Sequence, residues 1–345
     1  MGKEPITIKD IAKALGVSVS TVSRALKDSP DISETRRKAI QEYARANRYQ
    51  PNTLATTLRS TRGARSKLIG VVLPQFTHYY FSCILTGIEE TCSKHGYHIV
   101  VAQTGDSYER EKEIIESLRQ TRVCGFIVSQ AKDTTRYEHF HEVVKDGTPI
   151  VFFDRICTDI ITSRVVVDDY AGAYAATEYL IKTGCRRICF FGATMNLEIS
   201  KNRYNGYRDA LLKHKLPVDK ELFRICDNRD EAERLTPELM AMADRPDGFF
   251  TINDDTALGV LYTCKRLGFR IPEDVSICGF TDGIRAKSCD PQLTTVEQRG
   301  YDVGVAAATS LIEEYEAEGE EKPKFRNRII KTKLIVRGTT KELKE

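Results

Sequence analysis

The sequence predicts two parts of different fold class: an all-α helix-turn-helix domain over residues 1–50, and a larger α/β domain with parallel sheets over residues 67–345. Three short capped helical patterns fill the N-terminal domain, called here the head. In the larger domain, called the body, apolar runs of strand length alternate with helical segments, which is typical of parallel strands buried on both faces. Residues 1–65 carry 13 Lys and Arg against 6 Asp and Glu, and the remainder carries 39 against 43. This basic head indicates a nucleic-acid partner for the head alone.

Each predicted helix of the head begins at a capping residue. Thr7, followed three residues later by Asp10, predicts the first helix, which ends at Gly16. Ser18 is expected to cap the second helix and Ser33 the third. Apolar side chains at helical spacing converge on one small core. Two short helices joined by a tight turn that contains glycine form a helix-turn-helix arrangement.

The second helix carries the candidate base-reading side chains. Its N-terminal part would enter the major groove, where the outward-facing Val19, Ser20 and Arg24 meet base edges. A bidentate contact from Arg24 to guanine is worth about 1–3 kcal/mol of discrimination. Small hydroxyls are expected to contact phosphates, and these belong to Thr7, Ser18, Thr21 and Ser23. The alternative is that Arg24 is an ordinary solvated surface residue.

Residues 51–66 are expected to form a hinge helix and a linker. Pro51 suits the first position of a helix, but a helix of about ten residues is marginal in water on its own. Leu58, beside Arg59, would wedge into the minor groove of DNA. Asn52 and Ala55 complete the candidate minor-groove set. The alternative is a flexible linker in which Leu58 is incidental.

Polar residues follow several predicted strands of the body. Asp154 comes after the run IVFF, Asn253 after FFTI and Thr281 after ICGF. Parallel sheets bind ligands at the carboxyl ends of their strands, so the recurrence favours a ligand cleft. A satisfied loop cap would explain any one of these residues alone.

The head resembles that of the LacI/GalR family of bacterial transcription regulators. The pattern V-S-x-x-T-V-S-R, followed downstream by P-N-x-L-A-x-x-L, carries the resemblance, which extends to LIVRGTT near the end of the sequence. It implies a regulator that binds operator double-stranded DNA as a homodimer, with Leu58 levering the central base step. It also implies a repressor of carbohydrate-utilisation genes that a small sugar-type effector releases.

The same resemblance implies a body built like the periplasmic sugar-binding proteins, with an effector between two lobes. It places about 68–165 and 297–326 in the lobe next to DNA, and about 166–296 and 327–345 in the distal lobe. The expected effector-binding residues are Tyr80, Phe81, Asp154, Arg203, Asn253, Thr281, Gln298 and His78. The alternatives are that Phe81 is simply core and that Asp154 pairs with neighbours of Arg155.

Two positions depart from the family pattern. Thr281 stands where the family commonly has a ligand-facing aspartate, and His78 lies in HYYF where N-P-[FY]-F is usual. Losing a carboxylate and gaining a possible cation favours an acidic ligand, such as a uronic acid or a sugar phosphate. The expected effector is therefore a sugar or a sugar acid.

The motifs of common enzyme classes are missing from the sequence. It contains no G-x-S-x-G, no P-loop and no G-x-G-x-x-G, so a regulator without enzymatic activity, cofactor or metal is expected. Neither a signal-peptide pattern nor a long uncharged apolar run occurs, which predicts a cytoplasmic protein with no membrane partner. The alternative that stays open is an activator, or a corepressor-dependent regulator with a non-sugar effector such as a purine.

Overall fold

A computed structural model describes residues 6–49, 66–317 and 325–343 of the protein. It separates into two units, Met1–Ser66 and Lys67–Glu345. The predicted hinge contacts Leu58, Arg59, Asn52 and Ala55 lie outside the described residues.

The head contains three helices, α1 (Ile8–Ala14), α2 (Val19–Leu26) and α3 (Glu34–Ala46). The turn between α1 and α2 contains Gly16, whose φ of +63° strains any residue that carries a Cβ. Apolar side chains from all three helices form the core, as the spacing predicts: Ile11, Ala12, Val22, Ala25, Ile40 and Ala44. The helix-turn-helix prediction is thereby confirmed.

The helix caps of the head follow the prediction at two of three positions. Thr7 and Asp10 form a reciprocal capping box at α1, and Ser18 accepts a hydrogen bond from the backbone of Thr21 at α2. Ser33 lies at the start of α3, but its side chain makes no capping hydrogen bond. The start of α3 is therefore formed without a side-chain cap.

One lobe of the body, called here the first lobe, is built on a six-stranded parallel sheet. Its strands are β1 (Leu68–Leu73), β2 (His98–Gln103), β3 (Gly125–Val128), β4 (Ile150–Phe153), β5 (Ser163–Val167) and β11 (Asn327–Ile330). They lie in the order β11-β5-β4-β3-β1-β2. The helices of this lobe are α4 (Tyr79–Lys94), α5 (Tyr108–Gln120), α6 (Glu138–Lys145) and α12 (Gly300–Glu316). The uniformly buried β3 and β4 explain the continuous apolar runs in the sequence.

The second lobe repeats this architecture. Its strands are β6 (Ile188–Gly192), β7 (Phe223–Ile225), β8 (Gly248–Thr251), β9 (Ser276–Thr281), β10 (Thr294–Glu297) and β12 (Lys333–Ile335). The order is β12-β10-β9-β8-β6-β7, in which only the pairing of β12 with β10 is antiparallel. Its helices are α7 (Asp169–Lys182), α8 (Glu198–Lys213), α9 (Arg229–Met240), α10 (Asp254–Arg266) and α11 (Ile284–Ser288).

The chain crosses between the lobes three times, after β5, after β10 and between β11 and β12. The first and third crossings are hydrogen-bonded to each other. Asp168 donates from its backbone nitrogen to the carbonyl of Ile330 at 2.9 Å, and Thr332 Oγ1 donates to the carbonyl of Asp168 at 3.2 Å.

The lobe boundaries differ from the expected ones by a few residues. The resemblance placed 327–345 in the distal lobe, whereas β11 pairs in parallel with β5 of the first lobe. Ile330 of this strand packs on the apolar core of the first lobe, which explains why the crossing falls after β11. Similarly, β5 extends to Val167, slightly beyond the expected boundary near 165.

None of the helices within residues 6–49, 66–317 and 325–343 is long and apolar enough to span a membrane. All ten cysteines are free thiols; nine of them are buried, and Cys83 is half-buried. The nine buried thiols fill core positions of both lobes.

Helices α4 and α12 pack closely because each contributes a glycine to the contact. A Cβ added to Gly304 would lie 2.0 Å from the carbonyl oxygen of Ile84, and one added to Gly87 would lie 2.3 Å from that of Tyr301. Only a residue without a side chain allows the two backbones to approach so far.

We expect Gly304→Ala to lower the free energy of unfolding by about 2–3 kcal/mol, because the overlap with Ile84 outweighs the gain in helix propensity. Urea denaturation followed by circular dichroism measures this loss. Gly283→Ala is a control for adding a methyl group without overlap, since its added Cβ would meet Tyr79 at an ordinary 3.4 Å. Equal stability losses in the two variants would contradict the packing argument.

Candidate functional site

The N-terminal turn of α2 presents a group of exposed side chains. Val19, Ser20 and Arg24 are all exposed, and Arg24 forms no ion pair with any residue that the structure describes. Ser18 Oγ lies 2.8 Å from both Ser20 Oγ and Thr21 Oγ1. These hydroxyls form a small network at the helix start, and the guanidinium of Arg24 lies exposed on the same helix.

The hydroxyl groups predicted to contact phosphates differ in how far they are already hydrogen-bonded within the protein. Thr7 Oγ1 donates to Asp10 at 2.6 Å inside the capping box, so its proton is already used. Ser18 Oγ accepts from the backbone of Thr21 at 3.1 Å and retains its own proton for the hydroxyl network. Ser23 and Thr21 are half-buried on the same helix. A phosphate at Thr7 would therefore have to compete with the capping box.

A cavity of about 460 Å³ lies between the two lobes of the body. It is bordered by the carboxyl ends of strands from both sheets, where parallel sheets place their ligands. The structure brings all eight expected effector-binding residues to its wall: Tyr80, Phe81, Asp154, Arg203, Asn253, Thr281, Gln298 and His78.

Arg203 is the most constrained of these side chains, with only 4% of its surface exposed. Its Nε donates to Asp169 Oδ1 at 2.8 Å, and its Nη2 lies 2.7 Å from the same oxygen. Nη1 donates to the carbonyl of Ile252 at 2.5 Å, and the guanidinium carbon lies 3.8 Å from the ring centre of Phe280. Because a guanidinium has five N–H groups, two are not used by these contacts.

Asp169 matters to the cavity although sequence reasoning did not single it out. Burial raises the pKa of Asp169 to about 6, and Arg203 opposes this shift. Near neutral pH the carboxylate is charged and holds the guanidinium in place. The only signal in the sequence is that Asp169 follows a strand, at the first residue of α7.

Polar atoms on the first-lobe side of the cavity have no partner within the described part of the chain. These atoms are Nδ1 of His78, the hydroxyl of Tyr80 and Nε of Arg155. Asp154 is buried beside them in a left-handed conformation with φ of 55°, and burial raises the pKa of its carboxyl group. Buried polar groups are normally hydrogen-bonded, so this cluster is suited to a ligand that carries hydroxyl groups.

The expected cation at His78 is not supported by its surroundings. Burial lowers the pKa of His78, so the imidazole is neutral near neutral pH. The five cationic side chains of the cavity are each paired with a carboxylate: Lys132 with Asp227, Arg155 with Asp106, Arg203 with Asp169, Arg229 with Glu233, and Arg285 with Asp255. The predicted preference for an acidic ligand therefore loses one of its two supports, the cation at His78, and keeps the other, the neutral Thr281.

Asn253, Thr281 and Gln298 are partly used by the protein itself. Asn253 Oδ1 accepts from the backbone of Thr256 at 2.8 Å, which caps α10, and its Nδ2 donates to the carbonyl of Asp227 at 2.7 Å. Thr281 Oγ1 donates to Gln298 Oε1 at 3.2 Å. The loop-cap alternative thus describes what Asn253 does in this structure, although the residue also borders the cavity.

Lys132 and Asp227 border the cavity and were missed by sequence reasoning. Each lies shortly after a strand, β3 and β7 respectively, which is the signal that could have found them. The two residues are 95 positions apart, so no local pattern connects them.

Asp169→Asn should lower the free energy of unfolding by about 3 kcal/mol, because it leaves the buried guanidinium of Arg203 without a counter-charge. Urea denaturation at pH 7 measures the loss. Asp209→Asn serves as control: Asp209 pairs with Arg208 at the surface, where such pairs contribute less than about 1 kcal/mol. A loss no larger for Asp169→Asn than for the control would show that Arg203 does not need its carboxylate.

Two sequence families match the chain. Residues 7–52 match the family described as "Bacterial regulatory proteins, lacI family", and residues 177–340 match "Periplasmic binding protein-like domain". The first match covers α1 to α3, and the second covers most of the second lobe and α12.

Similar proteins align over almost the whole chain. The ribose operon repressor of Halalkalibacterium halodurans is 32% identical over 338 residues, covering 97% of each chain. The HTH-type transcriptional repressor PurR of Vibrio cholerae is 29% identical over 338 residues, covering 98% of each. A solved transcriptional regulator CelR–cellobiose complex is 25% identical with a TM-score of 0.73, covering 97% of this chain and 99% of that one. The chain therefore belongs to the LacI family of bacterial regulatory proteins, and it is a DNA-binding regulator of transcription.

Proposed function

We propose that the protein is a repressor of carbohydrate-utilisation genes that a neutral sugar releases from its operator. The observation that carries this proposal is the convergence of eight polar and aromatic side chains from both lobes on one cavity. The protein would act by binding alone, without enzymatic activity, in the cytoplasm where its operator lies.

The head would read DNA through α2. Two subunits of a homodimer would place their Arg24 side chains in successive major grooves, about 34 Å apart on a nearly palindromic site. The exposure of Val19, Ser20 and Arg24 supports this role. Leu58 of each subunit is proposed to insert at the central base step, where the cost of unstacking is recovered through contacts with bent DNA.

The cavity favours a neutral, hydroxyl-rich ligand. Asp154, His78 Nδ1 and the hydroxyl of Tyr80 offer acceptors and donors to sugar hydroxyls, and the two free N–H groups of Arg203 extend the set. Phe81 supplies an apolar wall. A relative named for the ribose operon and a similar regulator solved with cellobiose support a sugar as effector.

Release would follow from a change in the angle between the lobes. A ligand that binds one lobe arrangement more tightly increases the population of that arrangement. A change from mostly bound to mostly released DNA requires a difference in binding free energy of about 5.5 kcal/mol.

The similarity to the PurR repressor favours a second candidate, in which a purine strengthens DNA binding as a corepressor.

Titration of the DNA complex with candidate ligands tests the proposal. Fluorescence anisotropy would follow a DNA fragment from the upstream region of the protein's own gene, at fixed salt because phosphate contacts are salt-dependent. We expect D-ribose or cellobiose to weaken binding by about tenfold or more, and uronic acids and sugar phosphates to have no effect. Tighter binding with hypoxanthine or guanine would favour the corepressor candidate. If no compound changes DNA binding, the assignment of the cavity residues as the effector site would be wrong.

Replacing Arg24 tests the base-reading role. Arg24→Ala should relax the preference at one base pair of each half-site and lower affinity by about 1–3 kcal/mol per contact, because its bidentate contact is lost. Selection from a randomised operator library measures both. Arg45→Ala, which removes an exposed arginine from the last turn of α3, is the matched control. An unchanged sequence preference in Arg24→Ala would rule out this assignment.

A further inference from the structure

One ion pair joins the two lobes across the cleft. Lys132 belongs to the first lobe and Asp227 to the second, and Lys132 Nζ lies 2.5 Å from Asp227 Oδ2. Every other ion pair between described residues of the body stays within one lobe. Apart from the three chain crossings, this pair is therefore the one charged link between the lobes in the part of the chain that the structure describes.

The loop that carries Lys132 is held in place from two sides. Asp106 Oδ1 accepts from the backbone nitrogen of Lys132 at 3.1 Å and also pairs with Arg155. On the other side, the fully buried carboxylate of Glu111 accepts from the backbone of Ala131 at 2.5 Å. The loop cannot follow a departing partner without breaking these bonds.

Glu111 is itself anchored in the core of the first lobe. Its Oε1 accepts from Thr134 Oγ1 at 2.7 Å and lies 3.0 Å from His139 Nε2. A charged carboxylate is buried at a cost unless several donors compensate for the lost water. These donors come from the loop and from α6, so the carboxylate ties the loop to the lobe.

The Asp227 side is equally fixed. Its carbonyl accepts from Asn253 Nδ2 at 2.7 Å, and its backbone nitrogen donates to Glu231 Oε2 at 3.2 Å. Asn253 caps α10 and Glu231 lies in the first turn of α9. Two helices of the second lobe therefore hold the aspartate in position for Lys132.

The pair sits at the border of the cavity with partial access to solvent. The side chain of Lys132 is 37% exposed and that of Asp227 is 17% exposed. Salt therefore screens their attraction only in part, and both residues remain within reach of whatever fills the cavity.

We propose that the Lys132–Asp227 pair is a latch across the cleft, which holds the two lobes at a defined angle before any ligand binds. Opening of the cleft separates two groups that sit on rigid supports, so the pair breaks as a unit. The inference goes beyond the proposed function and does not depend on the identity of the ligand.

Distances between spin labels on the two lobes test the latch in the full-length protein without ligand or DNA. Labels would be attached to cysteines introduced at Lys112 in α5 and Glu238 in α9, which are both exposed, in a Cys83→Ser background because the other native cysteines are buried. Double electron–electron resonance then reports the distribution of lobe angles. We expect Lys132→Gln and Asp227→Asn each to shift the mean distance by more than the wild-type half-width.

A double variant with the two charges exchanged and a control variant of another ion pair complete the test. The double variant Lys132→Asp with Asp227→Lys should restore the wild-type distribution, which a loss of local folding would not do. Arg285→Gln breaks an ion pair of 2.7 Å that borders the same cavity but lies within the second lobe, so it should leave the distribution unchanged. Wild-type distributions in both single variants, or an equal shift in Arg285→Gln, would overturn the latch. Neither result would bear on sugar or DNA binding.

Discussion

Both sheets direct their carboxyl ends towards one cleft, and the placement of the binding side chains depends on this constraint. A buried parallel strand is apolar throughout, so the first polar residue after it marks the sheet edge. Asp154 follows β4, Asn253 follows β8 and Thr281 ends β9. These residues come from distant parts of the sequence, yet they border one cavity because the carboxyl ends of strands from both sheets lie next to it. The position of the ligand site is thus determined by the topology of the two sheets, and the individual side chains determine what the site can bind.

The charges of the cleft are compensated within the protein. Arg203 is paired with Asp169, and Lys132 with Asp227. These positive charges are therefore already balanced by carboxylates and attract an anionic ligand less strongly than unpaired charges would. Burial keeps His78 neutral and disfavours the charged form of Asp154. Specificity in such a site depends on the geometry of hydrogen bonds, since a hydroxyl that finds no partner leaves a buried polar group unsatisfied.

The sequence allowed the head and the strand-end residues of the body to be predicted, because capping patterns and apolar runs are local signals. It did not allow the partners of these residues to be predicted. Asn253 was expected to face a ligand; it borders the cavity and also caps α10, because a polar residue after a strand is the natural start of the next helix. The charge of His78 could not be read from its residue type, since burial decides it. Lys132 and Asp227 meet only because the lobes fold against each other.

The bonds between the first and third chain crossings have a mechanical consequence. Because Asp168 is hydrogen-bonded both to Ile330 and to Thr332, two of the three connections are joined to each other and are not independent tethers. A change in the angle between the lobes must therefore either preserve these two hydrogen bonds or break them.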